Sequence, residues 1–232
     1  MLLQTLLQVP VSAAETLDTQ IPTEVKLTLW SLFNSGGVIM YVLLLLSLIA
    51  VYIFVERLLI VNKAGKDDKQ FMSKISDNIR SGKVEEAKTL CKYTNTILAR
   101  MIEKGINSLG KPLHDISTSI ENTGRLEVAN LEKNVSLLAT IAGVAPMIGF
   151  LGTVVGMVKS FYNMSMAGNN LDISLLSEGI YLALVTTVGG LIVGITGYIL
   201  YNYTVARIER VVTLLEAKTT EFMDVLDEPA SK

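Results

Sequence analysis

Three stretches of this chain run for about twenty residues with almost no charge, and they leave it few folds to adopt. The first spans Val38 to Val61 and holds one charged pair, Glu56-Arg57, near its far end. The second spans Leu137 to Val158 and the third Gly179 to Tyr203; neither contains Asp, Glu, His, Lys or Arg. A helix rises 1.5 Å per residue, so each run is long enough to cross about 30 Å of hydrocarbon. Inside lipid the backbone must satisfy its own hydrogen bonds, which selects helices for such runs. A mean hydropathy of +0.45 agrees. The expected fold is therefore all-α: a polytopic membrane protein with three transmembrane helices and long cytoplasmic helical extensions, embedded in a lipid bilayer.

Composition excludes other classes. The net charge is −2, and no basic stretch is dense enough to bind nucleic acid. One cysteine, Cys91, and one histidine, His114, cannot build a disulfide framework or a Cys/His metal centre. Cys91 falls on an apolar helical stripe and reads as core; His114 reads as solvated surface. No phosphate loop or catalytic set is present, so neither an enzyme nor a cofactor or metal is expected.

Charge and periodicity divide the chain. Residues 1–35 have an apolar start and small residues at Ser12 to Ala14 but no basic head, and read as an extracytoplasmic N-terminal segment rather than a cleaved signal. Residues 36–61 form transmembrane helix 1, with Trp30 and Tyr41 as interfacial aromatics. Residues 62–134 are polar, basic and helical in period, with breaks expected at Ser81-Gly82 and at Leu109 to Pro112. The segment VEEAKTLCKYTNTILARMIEKGI reads as helix. A later helix is expected to run from near Asp115 directly into transmembrane helix 2 (135–161), with Gly124 its weak point. A loop at 162–178 follows, then transmembrane helix 3 (179–206) and an amphipathic C-terminal helix and tail (207–232). Lysine and arginine crowd 62–134 and 207–232, which places both in the cytoplasm, with the N-terminus and the 162–178 loop outside. At the edge of the first span, Glu56 and Arg57 would snorkel to the interface.

The second and third runs carry one more pattern. Ala142, Ala145, Gly149, Thr153, Gly156 and Ser160 recur at three- and four-residue steps and share one helix face. Ala183, Thr187, Gly190, Gly194 and Gly197 do the same on the third run. Small residues let membrane helices approach closely, so these faces are expected to pack. Whether a proton path also follows them is left open by spacing alone. Thr153 and Thr187 would lie about 8 Å and about 12 Å below the outer surface and could meet one partner group. Alternatively, each hydroxyl bonds a carbonyl one turn back along its own helix. Pro146 removes an amide donor inside the second span and marks a kink with a free acceptor, the carbonyl of Ala142. No titratable group lies within either run; Glu178, at the mouth of the third, is the nearest and reads as a helix-start acid. Any proton moving along these faces needs a carboxylate from another chain.

The stretches APMIGFLGTVVGMVKSF (145–161) and ALVTTVGGLIVGITGYILYN (183–202) resemble the second- and third-span signatures of the ExbB/TolQ/MotA proton-channel family. The three-span layout, the large first cytoplasmic segment and the Glu56-Arg57 pair agree, and the resemblance is closest to the ExbB/TolQ branch. It implies a homopentamer around two copies of an ExbD-like single-span partner whose membrane aspartate takes up protons. Thr153 and Thr187 would line the path opposite that aspartate, with Ala145, Gly149, Gly156, Ala183, Gly190 and Gly194 on the same faces, Pro146 as the kink, and Glu56, Arg57 and Glu178 as accessory charges. It further implies a bacterial inner membrane location and output through a TonB-like protein to outer-membrane transport. The alternatives are a TolQ-like or gliding-type stator, or a membrane scaffold that does not conduct. Two departures stand out. Many relatives carry a glutamate at or near the position of Ala183, and many carry a proline where this chain has Thr196.

Overall fold

The computed structural model describes residues 36–65, 69–166 and 173–227. The N-terminal segment with Trp30 and the last residues of the tail lie outside them; of the expected 162–178 loop, residues 162–166 end one helix and residues 173–178 begin the next, so the loop is helical at both ends, and 167–172 lie outside the described residues. The described residues form seven helices and no strand: α1 (Gly37–Ala64), α2 (Lys69–Arg80), α3 (Val84–Thr94), α4 (Ile97–Ile106), α5 (Leu113–Glu132), α6 (Val135–Met166) and α7 (Ile173–Asp227). The chain is all-α and polytopic: α1, α6 and the first half of α7 are each long and apolar enough to cross a membrane. Leu45, Leu48, Tyr52 and Leu59 on α1 and Met147, Phe150 and Val158 on α6 stay exposed, as befits faces turned toward lipid or another chain.

The second half of α7 joins α2 to α5 in a separate core. Phe71, Met72, Ile75, Cys91, Ile102, Ile120, Leu215 and Phe222 are almost fully buried there. The amphipathic pattern of the tail is thus explained by packing: α7 is one unbroken helix of 55 residues, about 80 Å long.

Three expectations about helix ends need correction. First, α5 does not run straight into α6. Lys133 is extended (ψ 134°) and Asn134 sits in the left-handed region (φ 62°), which asparagine tolerates better than most residues. The break leaves carbonyls of the last turn of α5 without helical donors. Arg57 meets one of them, its Nη1 donating to the carbonyl of Asn130 at 3.1 Å. Secondly, the 84–106 segment is two helices. Asn95 takes a left-handed turn (φ 42°), and the Thr96 side chain caps α4 by accepting from the amide of Ala99. Thirdly, α5 runs unbroken through Gly124. The glycine lies buried in mid-helix, where an added Cβ would come within 2.8 Å of Met101 Cε.

Arg57 also departs from the snorkelling expectation. Its side chain is only 6% exposed, and it pairs with Glu56 at 2.8 Å. The pair therefore ties α1 to the α5–α6 break, with a cation at a helix C-terminus where the dipole favours it.

Candidate functional site

The antiparallel seam between α6 and α7 is built almost wholly from residues without bulk. Its register is constant, one turn up α6 for each turn down α7. Ser160 meets Gly179, Gly156 meets Ala183, Gly152 meets Thr186, Gly149 meets Gly190, Pro146 meets Gly194, and Ala142 meets Gly197. A Cβ on Gly190 would lie 2.7 Å from the Ala145 carbonyl oxygen and 2.8 Å from Gly149 Cα. One on Gly149 would lie 2.9 Å from the Thr186 carbonyl oxygen. All of these are backbone atoms, which cannot swing aside. Lipid offers no hydrophobic reward for helix association, so this closeness is where the packing energy comes from.

Hydroxyls sit in the middle of the seam. Thr187 Oγ1 donates across it to the Gly149 carbonyl at 3.2 Å. Thr153 Oγ1 donates to the Phe150 carbonyl of its own helix at 2.6 Å. The two expectations for threonine are thus divided between them: Thr153 bonds back along its helix, while Thr187 crosses to the neighbour. Both side chains keep partial exposure. Ala145, Gly149, Ala183, Gly190 and Gly194 lie buried inside the contact, and Gly156 is half-buried at its edge. Pro146 fits against Gly194.

One residue was overlooked. Thr186 is 4% exposed and wedged against Gly152, donating to the Ala183 carbonyl at 2.7 Å with the Gly149 carbonyl at 3.4 Å. Its steps to Ala183 and Gly190 are three and four, the same spacing that singled out Thr187. The Thr-Thr pair turns one hydroxyl into the seam and leaves the next at its border.

The accessory charges lie elsewhere. Glu56 and Arg57 are bound up with the α5–α6 break, and Glu178 is exposed near the start of α7. Among the described residues no group of His, Cys, Asp and Glu could hold a metal ion. The resolved charge effects fall in the helical core beyond the spans. Arg100 grips Glu127 through two bonds of 2.7 and 2.8 Å, and this hydrogen bonding holds the Glu127 carboxyl below the usual carboxylate range. Burial, with Glu103 nearby, pushes the Cys91 thiol up to about 12.

Comparison with known proteins fits this geometry. The sequence pattern of the MotA/TolQ/ExbB proton channel family matches residues 93–217, just over half of the chain. An ExbB homologue of Methanothermobacter thermautotrophicus is 29% identical over 194 residues, covering 82% of this chain and 67% of the relative. The biopolymer transport protein ExbB of Aquifex aeolicus is 40% identical over 97 residues, 40% of this chain and 63% of the relative. The Tol-Pal system protein TolQ of Haemophilus influenzae is 35% identical over 98 residues, 42% of this chain and 41% of the relative. The chain belongs to the MotA/TolQ/ExbB proton channel family.

Proposed function

We propose that this member of the MotA/TolQ/ExbB family is the ring-forming subunit of an ion-driven motor in a bacterial inner membrane, and that Thr153 and Thr187 line its proton path. The observation that carries this reading is the pair of half-exposed hydroxyls at the border of a charge-free seam. Copies of the α6–α7 pair close into a ring, a pentamer by the family resemblance. Two ExbD-like single-span partners fill its centre and supply the aspartate that this chain lacks. Ala145, Gly149, Gly156, Ala183, Gly190 and Gly194 bring the backbones close enough to present the threonines at one level, and Pro146 shapes the inner end. The N-terminus and the connection between α6 and α7 face the periplasm; α2 to α5 and the lower half of α7 face the cytoplasm. Output passes to a TonB-like protein that energises outer-membrane transport.

A TolQ-like role has specific support in the similarity to the Haemophilus protein. The output protein separates the two readings, since the membrane chemistry is shared. A non-conducting scaffold would show the same packing without flux.

Native mass spectrometry of the chain co-expressed with a single-span neighbour tests the assembly. Five copies bound to two partners, each with one membrane aspartate, is the expected result. A ring that never captures such a partner would have no proton carrier and would leave the scaffold reading in its place.

A further inference from the structure

Just below the third span, α7 carries two arginines with no acidic partner among the described residues. Arg207 donates from Nε to the Tyr203 hydroxyl at 3.2 Å, and its guanidinium carbon stands 5.5 Å from the centre of the Tyr203 ring. It makes no other hydrogen bond or ion pair there, so both terminal nitrogens of the fork are left to donate. Arg210, one turn on, is exposed and makes neither. Tyr203 is in turn braced from α1, its ring meeting that of Phe54 edge-on with centres 6.0 Å apart.

The nearest acids turn away from this spot. Glu209 follows Arg207 by two residues, about 200° round α7, and Glu56 follows Phe54 by two, about 200° round α1. Glu56 is also bound to Arg57 at 2.8 Å. On the membrane side of the arginines the surface of α7 is apolar. Ile192, Ile199, Tyr203 and Arg210 lie within about 40° of one another, and the first three are exposed. Measured from Thr187, Tyr203, Arg207 and Arg210 stand about 160°, 200° and 140° round the helix. A ring with Thr187 towards its centre therefore turns them outward, to the bilayer.

We infer that this outer surface of α1 and α7 binds an anionic phospholipid of the cytoplasmic leaflet, an inference that takes its orientation from the function proposed above. An acyl chain lies along Ile192, Ile199 and the Tyr203 ring. The phosphate accepts from the two terminal nitrogens of Arg207, a planar fork that matches two phosphate oxygens, and Arg210 adds a second charge. Basic residues beside membrane helices on the cytoplasmic side attract anionic headgroups in this way. A zwitterionic headgroup brings its own cation to the same place and cancels part of the attraction. Seated against Phe54 and Tyr203, the lipid touches α1 and α7 together and braces their contact from outside.

Native mass spectrometry of the full chain in detergent, titrated with phosphatidylglycerol or phosphatidylcholine, tests the site. The parent should retain phosphatidylglycerol in preference. Arg207→Gln and Arg210→Gln should each weaken that retention about fivefold. Arg207→Lys, which keeps the charge and loses the fork, should fall between parent and glutamine variant. Lys159→Gln removes an exposed cation at the other end of the seam and should change nothing. The same spectra give the oligomer mass, so a variant that assembles wrongly is recognised and the lysine variant decides. Equal retention of the two lipids, or of phosphatidylglycerol by the parent and the double glutamine variant, would overturn the site. Displacement of the lipid by glycerol 3-phosphate would also overturn it, because the arginines would then take a soluble phosphate. The titration needs no partner chain. Its failure would leave the proton path standing, and failure to capture a single-span partner would strike that path without altering the titration.

Discussion

Gly190→Ala puts the close approach of α6 and α7 to a quantitative test. The new Cβ would lie 2.7 Å from the Ala145 carbonyl oxygen, 2.8 Å from Gly149 Cα and 3.0 Å from Gly149 N. Carbon contacts settle at about 3.5 to 4.0 Å, so the helices must part by about 0.7 Å or more. Overpacking of this kind costs about 1 to 3 kcal/mol. The same movement stretches the 3.2 Å bond from Thr187 to Gly149 beyond hydrogen-bonding range. An interhelical bond in a membrane contributes about 0.6 kcal/mol. Against these losses, alanine gains about 0.5 to 1 kcal/mol over glycine in a helix. The net expectation is a loss of about 1 to 3 kcal/mol. Gly143→Ala is the matched control: it lies in the same helix, is exposed, and its Cβ would meet nothing within 4 Å. Unfolding of both variants in mixed micelles, followed by loss of helicity on adding dodecyl sulfate, gives the comparison. Gly190→Ala should unfold earlier than the parent and Gly143→Ala no earlier. Equal midpoints for the two variants would show that the seam is not closed at Gly190.

Other consequences follow from single contacts. Arg57→Met should uncap the last turn of α5 and cost about 1 to 3 kcal/mol, with faster tryptic cleavage after the exposed Lys133 as the local sign. Unchanged cleavage would separate Arg57 from the break. The Cys91 thiol ionises near 9 when unfolded and only near about 12 when folded, so the folded state resists losing the proton. Its contribution is complete below pH 9 and falls away as pH rises from there towards 12; Cys91→Ala should flatten that alkaline loss in a denaturation series. Glu127 has the opposite sign: its lowered carboxyl contributes above the unfolded value of 4.5 and loses that contribution as pH falls, by less than about 1 kcal/mol because Arg100 is partly exposed. Glu127→Gln should remove this acid sensitivity and little else.

The spans were legible because charge-free length and small-residue periodicity are coarse signals that lipid enforces. The register of α6 on α7 was half legible. Spacing named Thr153 and Thr187 but gave no means of ranking Thr186 beside them, because adjacent residues differ by only about 100° on a helix. The break at Lys133-Asn134 was illegible for a different reason. No proline or glycine marks it; a single left-handed asparagine suffices once Arg57, 73 residues before the Asn130 carbonyl that it meets, supplies the missing cap. The burial of Arg57 follows from the same long-range contact. The turn at Asn95-Thr96 was written locally, in an αL-tolerant residue followed by an N-cap, but the surrounding apolar stripe concealed it.

Proton flux into liposomes holding this chain with its single-span partner tests the role of the seam threonines most directly. Under a membrane potential the parent complex should acidify the lumen. Thr153→Val with Thr187→Val should assemble to the same stoichiometry and carry no flux. Parental flux through the double variant would contradict the account.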